Sequence, residues 1–207
     1  MMLKRFFYKR LYKNFYELNW DISPQLPIEE ACFVVFDTET TGLDLRKDEP
    51  IAVGALKIKA LRIDLSDAYY TLIKTVKEPG QSLKVHGIMP TDLEKAKEPT
   101  EVCKEFISYS KNCLFVGYFL HIDMAMIKKL VKRECGGFFA PYGVDILDMI
   151  ENKDSLPTLE ELLTQLRLPK SNFHHPLEDA YMTALAFLKL LKAKNYRRLK
   201  DLPYRVY

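Results

Sequence analysis

The chain has 207 residues, 48% of them hydrophobic, so it is long enough for one globular domain with a sizeable core. No apolar run approaches the ~18 residues of a membrane-spanning helix, and no signal-peptide pattern follows the basic N-terminus. The four cysteines form no Cys-x-x-Cys pair. We therefore expect no membrane association and reduced thiols in a cytoplasmic protein, rather than a disulfide framework or a zinc site.

The net charge of +3 is unevenly distributed along the chain. Residues 1–16 and 189–207 together carry +11, which leaves −8 for residues 17–188. An acidic body with basic ends fits a protein that binds cations centrally and contacts a polyanion such as nucleic acid with its ends. The same charge distribution is expected if the basic ends only aid solubility. Charge alone therefore leaves both interpretations open.

The first predicted element is an aromatic and basic helix over residues 1–19. Leu3, Phe7, Leu11 and Phe15 recur in it at helical spacing. Basic residues alternate with aromatic residues in this segment. This pattern indicates either a surface that contacts nucleic acid or a partner, or a helix that docks on the main domain with its basic face in solvent. We favour the docked helix.

A proline-punctuated linker follows this helix and separates it from the main domain. The expected division of the chain is a helix and linker at residues 1–28, a main domain at 29–194 and a basic tail at 195–207. In the main domain the strands are predicted at 32–37, 51–58, 69–76 and 114–117. The helices are predicted at 101–110 behind an N-cap at Thr100, from His121, at 145–151, at 158–166 with a capping box, and from Pro176.

Two acids end the first strand of the main domain. Asp37 and Glu39 are two residues apart, so their side chains point to the same face of the strand. Two buried like charges side by side are costly unless a cation lies between them. The pair therefore indicates a divalent metal site, and a plain polar turn at Thr-Thr-Gly is the alternative.

A third acid begins an apolar helical stripe. Asp123 occupies the inward row of Met126, Ile127 and Leu130, where a leucine would be expected. It is either a residue favoured by the helix dipole in the first turn or a metal ligand on a rigid element. We favour the ligand.

A fourth acid points inward from the last predicted helix. Asp179 heads the small and apolar row of Thr183, Ala186 and Leu190, so it faces the body of the protein. His174 lies just before this helix. A histidine there is usually an ordinary surface or capping residue, but beside carboxylates it becomes a candidate general base.

The four acids together could form a site for two metal ions. Asp37, Glu39, Asp123 and Asp179 can hold two Mg²⁺ or Mn²⁺ ions, with phosphate oxygens and water completing the coordination. Such a site suits in-line attack of water on a phosphodiester, with His174 removing the proton of that water. Zinc is disfavoured because the histidines lack the i, i+4 spacing of helical zinc ligands.

Four segments in this order resemble the motifs of one family: Asp37-Thr-Glu39-Thr-Thr-Gly-Leu, Val85-His86-Gly87-Ile88, Gly117 to Asp123, and His174-x-x-x-x-Asp179-Ala. Over about residues 31–193 the chain resembles the DnaQ-like (DEDDh) 3′–5′ exonucleases, which include the proofreading subunit of bacterial replicative polymerases. The resemblance implies an α/β, ribonuclease-H-like fold with a five-stranded mixed sheet flanked by helices. It also implies that Asp37, Glu39 and Asp179 bind the first metal ion. Asp37 would contact the second ion as well, and Asp123 would assist through water.

The same resemblance implies a base and a set of substrate contacts. The spacing from Asp179 matches His174, rather than His175, to the general base. The 3′-terminal nucleotide is expected to contact four residues, Thr40, Leu43, Val85 and His86.

One motif departs from the family pattern. The usual Gly-His-Asn-x-x-Phe-Asp is here Gly117-Tyr118-Phe119-Leu-His-Ile-Asp123, so Tyr118 and Phe119 replace the His-Asn pair. Neither replaced residue is a metal ligand in the family, so the chemistry can be retained. Phe119 becomes a candidate for stacking on the substrate.

The resulting hypothesis is a metal-dependent 3′–5′ exonuclease that acts on single-stranded ends, with DNA favoured over RNA and a DNA polymerase as a candidate partner. The first alternative is an RNA-trimming exonuclease, because 2′-hydroxyl contacts cannot be placed from the sequence. The second is a weakly active nucleic-acid-binding accessory domain on the same fold. The intact acids and His174 argue against that domain, since an inactive protein has no need to bury them.

Overall fold

The computed structural model describes residues 2–12, 14–77, 80–150, 155–171 and 174–207. Its strands are β1 (Phe15–Tyr16), β2 (Phe33–Thr40), β3 (Pro50–Lys59), β4 (Arg62–Leu72), β5 (Leu114–Gly117), β6 (Phe138–Phe139), β7 (Tyr142–Asp145) and β8 (Arg205–Val206). Its helices are α1 (Met2–Leu11), α2 (Leu83–His86), α3 (Pro90–Glu94), α4 (Pro99–Tyr109), α5 (Leu120–Leu130), α6 (Leu159–Gln165) and α7 (Pro176–Lys194).

One mixed sheet organises the molecule, with strand order β4-β3-β2-β5-β7-β8. The pairs β2–β3, β3–β4 and β7–β8 are antiparallel, whereas β2–β5 and β5–β7 are parallel. This confirms the predicted α/β class with a mixed sheet and flanking helices. The sheet has six strands rather than five because the C-terminal tail adds β8 beside β7.

The central strand β2 is buried on both faces. Phe33 and Val35 pack in the cluster that includes α7, whereas Val34 and Phe36 pack in the cluster that includes α4 and α5. This alternation continues along the strand, since successive side chains of a strand point to opposite faces. The sequence pattern therefore also fixes the face on which each polar residue at the end of β2 lies.

The predicted helix starts agree with the structure in part. Pro176 begins α7, and Thr158 caps α6 in a capping box with Glu161, as predicted. The predicted cap at Thr100 is wrong, because Pro99 occupies the first helical position and Glu98 precedes it.

The helix predicted at 145–151 is also wrong. Asp145 ends β7, and a 3₁₀ turn at Ile146–Met149 follows it, while residue 151 lies outside the described residues. The apolar run that suggested a helix is instead buried next to the sheet.

The N-terminal helix is shorter than predicted and ends at Leu11. Phe15 belongs to β1, which pairs in parallel with β6. Backbone pairing with β6 thus overrides the helical spacing of the aromatic residues. The side chain of Leu3, the first member of the predicted stripe, lies outside the described residues.

The four cysteines form two disulfides, so the predicted reduced thiols are wrong. Cys32 and Cys113 precede β2 and β5, and the pairing of Phe33 with Leu114 brings their Cα atoms to 4.5 Å. The second pair, Cys103 on α4 and Cys135 after α5, has its Cα atoms 6.5 Å apart. These pairings depend on strand register and helix packing between distant segments, which spacing in the sequence does not reveal. The cysteines therefore no longer support the predicted cytoplasmic location.

Within the described ranges, no helix combines the length and the apolar composition needed to cross a bilayer.

Candidate active site

Three carboxylates converge at one end of the sheet. Asp37 and Glu39 near the end of β2 and Asp179 in the first turn of α7 each offer an oxygen within 4.8 Å of the others. Alternation along β2 points both of its acids toward α7, as the two-residue spacing predicts. Side chains from distant parts of the chain thus form a single acidic cluster.

A glycine allows α7 to approach the sheet at this point. Gly54 of β3 pairs with Asp37 in the strand register, and a Cβ atom on it would lie 2.2 Å from the backbone nitrogen of Leu177. It would also lie 2.3 Å from the carbonyl carbon of Pro176. Because Asp179 follows two residues later, this close approach brings its carboxylate to the acids of β2.

Burial, together with repulsion between the negative charges of the clustered carboxylates, raises the pKa values of the two strand acids. Burial, together with the charges of Asp123, Glu39 and Asp179, holds the pKa of Asp37 well above its usual range. Burial and the neighbouring aspartates raise the pKa of Glu39 to about 8. Within the described residues, Oδ1 of Asp179 is buried without a hydrogen-bond partner. Clustered carboxylate oxygens with an unpartnered acceptor fit the ligand preference of Mg²⁺ or Mn²⁺.

Asp123 lies beside this cluster on the other side of β2. Its Oδ1 atom accepts hydrogen bonds from the backbone nitrogen of Thr38 at 3.0 Å and from the Thr38 hydroxyl at 2.7 Å. Thr38 points toward α5 because it alternates with Asp37 and Glu39. Burial raises the pKa of Asp123 to about 7, although the hydrogen bonds from Thr38 oppose this shift. The buried Asp123 is therefore a near neighbour of the three clustered acids but is oriented by Thr38.

Sequence reasoning did not single out Asp145, which positions the start of α5. This buried carboxylate accepts hydrogen bonds from the backbone nitrogens of Leu120 at 3.0 Å and Leu147 at 3.1 Å. It thereby fixes the first turn of the helix that carries Asp123. The available signal is an acid at the end of a short apolar segment, but the sequence pattern predicts no strand there and makes Asp145 the first residue of a helix.

His174 lies at the edge of the cluster. Its backbone nitrogen donates to Oδ2 of Asp179 at 3.1 Å, and its φ of 79° is in the left-handed region. The side chain is exposed, which leaves the imidazole accessible to a substrate. His175 instead packs its ring 4.7 Å from that of Tyr70, and its Nδ1 is buried without a partner among the described residues.

Tyr70 is a second residue that the sequence did not indicate. It pairs with Gly54, on the opposite side of β3 from Asp37, and its side chain is partly exposed. Burial raises its pKa, and the charge of Glu39 adds to the shift, so the phenol lies near the acids. The pattern of β4 alone gives no reason to prefer it over other tyrosines.

Two of the predicted substrate contacts, Thr40 and His86, are linked through Ser82. The Thr40 hydroxyl donates to the carbonyl of Gly42 at 2.7 Å, and the Thr40 carbonyl accepts from the Ser82 hydroxyl at 2.9 Å. The His86 ring contacts Ser82, with 3.1 Å between Nε2 and Oγ. Leu43 is 94% exposed, so it has almost no contact with the rest of the chain.

Val85 is also exposed, on the short helix α2 that carries His86. Burial lowers the pKa of His86, and the neighbouring charge of His174 lowers it further. The loop around α2 and the loop that carries His174 therefore lie close to each other.

The Tyr118–Phe119 pair has two different environments. The Tyr118 hydroxyl donates to the carbonyl of Pro157 at 2.6 Å, and burial raises the pKa of Tyr118 to about 12. Phe119 has a φ of 50° and stands immediately before α5, with its ring against the edge of Tyr118. Tyr118 thus packs against a neighbouring loop, whereas Phe119 remains partly exposed.

The sequence of the chain has relatives among known proteins. Residues 34–187 match the RNase_T family model, described as exonuclease. The chain is 33% identical to the DNA polymerase III PolC-type protein of Thermotoga petrophila over 176 residues, which cover 83% of this chain and 13% of that protein. It is 31% identical over 166 residues to the 3′-5′ exonuclease DinG of Staphylococcus epidermidis, covering 77% of this chain and 18% of that protein. The chain thus spans less than a fifth of the length of these two relatives.

The fold also has a counterpart among solved structures. The crystal structure of E. coli exonuclease I in complex with a dT13 oligonucleotide superposes with a TM-score of 0.63 and 19% sequence identity. The match covers 80% of this chain and 42% of exonuclease I. This similarity confirms the predicted ribonuclease-H-like fold.

Proposed function

Because the chain belongs to the exonuclease family that matches residues 34–187, we propose that it is a metal-dependent 3′–5′ exonuclease of single-stranded nucleic acid. The observation that carries this proposal is the convergence of Asp37, Glu39 and Asp179 within 4.8 Å. DNA is the proposed substrate, and a DNA polymerase is the proposed partner. Both follow from relatives named polymerase III and from the oligonucleotide complex of exonuclease I.

The carboxylates hold the metal ions in this proposal. Asp37, Glu39 and Asp179 would bind the first ion, and Asp37 would also contact the second, which Asp123 would assist through water. Bound Mg²⁺ or Mn²⁺ would supply a nucleophilic water at neutral pH and stabilise the charge of the leaving oxygen. The protein's contribution is to hold four acids close together, at an electrostatic cost that bound cations would offset.

His174 is the proposed general base. Its exposed imidazole lies at the edge of the cluster, because its backbone nitrogen is hydrogen-bonded to Asp179. From this position the ring would accept the proton of the attacking water, which is the usual role of a histidine at such a site. His175 is a poorer candidate because its ring packs against Tyr70.

Thr40, Leu43, Val85, His86 and Phe119 are the proposed contacts to the 3′-terminal nucleotide. The exposed Leu43 and Val85 offer apolar surface to a base or sugar, while the hydrogen bond between Ser82 and the Thr40 carbonyl keeps the two loops together. The partly exposed Phe119 ring offers a stacking surface.

The test uses single-stranded DNA and RNA oligonucleotides labelled at the 5′ end and incubated with Mg²⁺ or Mn²⁺. We expect stepwise shortening from the 3′ end, faster for DNA, and no shortening by Asp37→Ala. Loss of the base in His174→Ala should lower the rate by ~10²–10⁴-fold, with His175→Ala as the matched control. Absence of shortening on both substrates would refute the proposal. An equal loss in His175→Ala would show that the base is misassigned.

A further inference from the structure

A cavity of about 400 Å³ lies between α1, the end of α5 and β6. We call it the Lys128–Phe138 cavity. It is lined by Tyr12, Asn14, Lys128, Lys132, Phe138 and Phe139 together with two glycines. None of the lining residues that the structure describes is acidic, so the cavity combines positive charge with aromatic surface.

One wall of the cavity is a flat aromatic surface. The rings of Tyr12 and Phe138 are stacked with centroids 3.9 Å apart and planes 3° from parallel. Tyr12 is 40% exposed, so its outer face is available to another planar group. Nucleic-acid bases stack on such rings with little dependence on sequence.

The lining of the cavity also includes two lysine side chains. Lys128 and Lys132 are four residues apart, and both line the cavity. Burial lowers the pKa of Lys128, and neither lysine has a hydrogen bond or ion pair with another described residue. A partly buried ammonium group without a carboxylate nearby is the environment that an anion such as phosphate would complete.

The cavity and the acidic cluster share one helix, because α5 carries Asp123 in its first turn and Lys128 in its last. Lys128 lies roughly 8 Å further along this helix than Asp123 at 1.5 Å per residue. Lys132 follows in the π-helical turn Val131–Cys135. Next to Lys128, the Lys129 ammonium donates to the Arg46 carbonyl at 2.9 Å and also to that of Asp48. The loop that follows β2 is thus fastened to α5 beside the lysines.

We propose that the Lys128–Phe138 cavity binds the single strand on the 5′ side of the hydrolysed nucleotide, with a base on the Tyr12 ring and backbone phosphates on Lys128 and Lys132. This inference rests on the proposed exonuclease function. It adds an upstream subsite that holds the strand while its 3′ end occupies the acidic cluster. Length dependence distinguishes such a subsite from the acidic cluster, because only a strand of several nucleotides reaches both.

Binding is tested by fluorescence anisotropy of labelled oligothymidylates, a 20-mer and a dinucleotide, in EDTA so that no hydrolysis occurs. The variant is the double change Lys128→Gln and Lys132→Gln. Its matched control is Lys104→Gln with Lys111→Gln, which removes the same charge from exposed lysines of a neighbouring surface. A third variant, Tyr12→Ala, removes the exposed stacking ring without touching charge.

We expect the Kd of the 20-mer to rise at least tenfold in the Lys128/Lys132 variant and on the order of tenfold in Tyr12→Ala. The slope of log Kd against log salt should fall by about 1.4 in the lysine variant, since each neutralised phosphate of a single strand contributes about 0.7. The dinucleotide should show a much smaller loss.

An unchanged Kd for the 20-mer, or an equal loss in the Lys104/Lys111 control, would overturn the subsite. The exonuclease proposal is tested separately, by incubating the 20-mer with the wild-type protein and Mg²⁺ or Mn²⁺. If the 20-mer is not shortened, that proposal fails. A cavity that serves a protein partner instead would leave both oligonucleotide affinities unchanged in all three variants, which also overturns the inference.

Discussion

Gly54 lies opposite Asp37 in the β2–β3 register, and the first turn of α7 crosses the sheet directly over this glycine. The pairing links the strand acids to the helix acid, because Asp179 can reach Asp37 only if α7 packs this closely. A methyl group at position 54 would meet backbone atoms of Pro176 and Leu177, which cannot rotate away as a flexible side chain does.

Gly54→Ala should therefore displace the start of α7. We expect a loss of about 10² or more in kcat, since misplacement of a catalytic group by ~1 Å has that effect. The free energy of unfolding should fall by ~1–3 kcal/mol from overpacking. Gly136→Ala is the control, because its Cβ would meet nothing within 4 Å although its φ is +62°. The activity is measured on a dinucleotide, which is too short to reach the Lys128–Phe138 cavity that Gly136 lines. Thermal denaturation should show instability in both variants, whereas dinucleotide hydrolysis should be lost only in Gly54→Ala.

Thr38→Val removes the hydroxyl that holds Asp123. The backbone hydrogen bond from residue 38 remains, so the carboxylate should keep its place but lose part of its orientation. We expect kcat to fall roughly tenfold, which corresponds to about 1.4 kcal/mol of lost transition-state stabilisation. Thr38→Ser should recover most of the rate. The buried Thr71, which donates to the Leu72 carbonyl, offers a matched Thr→Val control. Equal losses at both positions would argue that the effect is structural.

The raised carboxylate pKa values predict an unusual dependence of stability on pH in EDTA. Burial and the neighbouring aspartates raise the pKa of Glu39 from 4.5 to about 8, and burial raises the pKa of Asp123 from 3.8 to about 7. The folded state therefore binds protons more tightly than the unfolded chain in this interval. The free energy of unfolding should decrease by a few kcal/mol as the pH rises from about 4.5 to 8.

Divalent metal should cancel this loss, since it replaces the protons as the neutralising charge. Thermal denaturation with and without Mn²⁺ is the measurement, and the metal should raise Tm more at about pH 8 than at about pH 5.5. Glu39→Gln should flatten the profile in EDTA. If the metal-free protein instead became more stable as the pH rises over this range, the raised pKa values of the clustered carboxylates would be contradicted.

Phe119→Asn should stabilise the protein. Phe119 has a left-handed backbone conformation immediately before α5, where a bulky residue is strained and asparagine is well tolerated. We expect the free energy of unfolding to rise by ~0.5–1.5 kcal/mol, measured by chemical denaturation. If Phe119 stacks on the substrate, KM for oligonucleotides should increase at the same time. Tyr118→Phe serves as control, because loss of the hydroxyl bond to Pro157 should only destabilise.

The local parts of the site could be predicted from the sequence. Period-two alternation correctly placed Asp37 and Glu39 on one face, and helical periodicity correctly turned Asp179 inward. The roles of Gly54 and Thr38 were not predicted, because they depend on which strand or helix lies opposite.

The same limit explains the wrong assignments in the fold. The disulfide between Cys32 and Cys113, the strand that ends at Asp145 and the pairing of β8 all arise from contacts between segments far apart in sequence. Propensity and spacing describe a segment by itself, so they carry no information on strand register or on which edge a terminal strand joins.

The dependence of the acidic cluster on α7 has a consequence for biosynthesis. Chains emerge from the ribosome N-terminal end first, so β2 with Asp37 and Glu39 is made long before the helix that supplies Asp179. Until α7 docks over Gly54, the growing polypeptide has only part of the acidic cluster that we propose binds the metal ions. The proposed phosphodiester cleavage should therefore begin only after α7 has been synthesised, and incomplete chains should not cleave the nucleic acid around them.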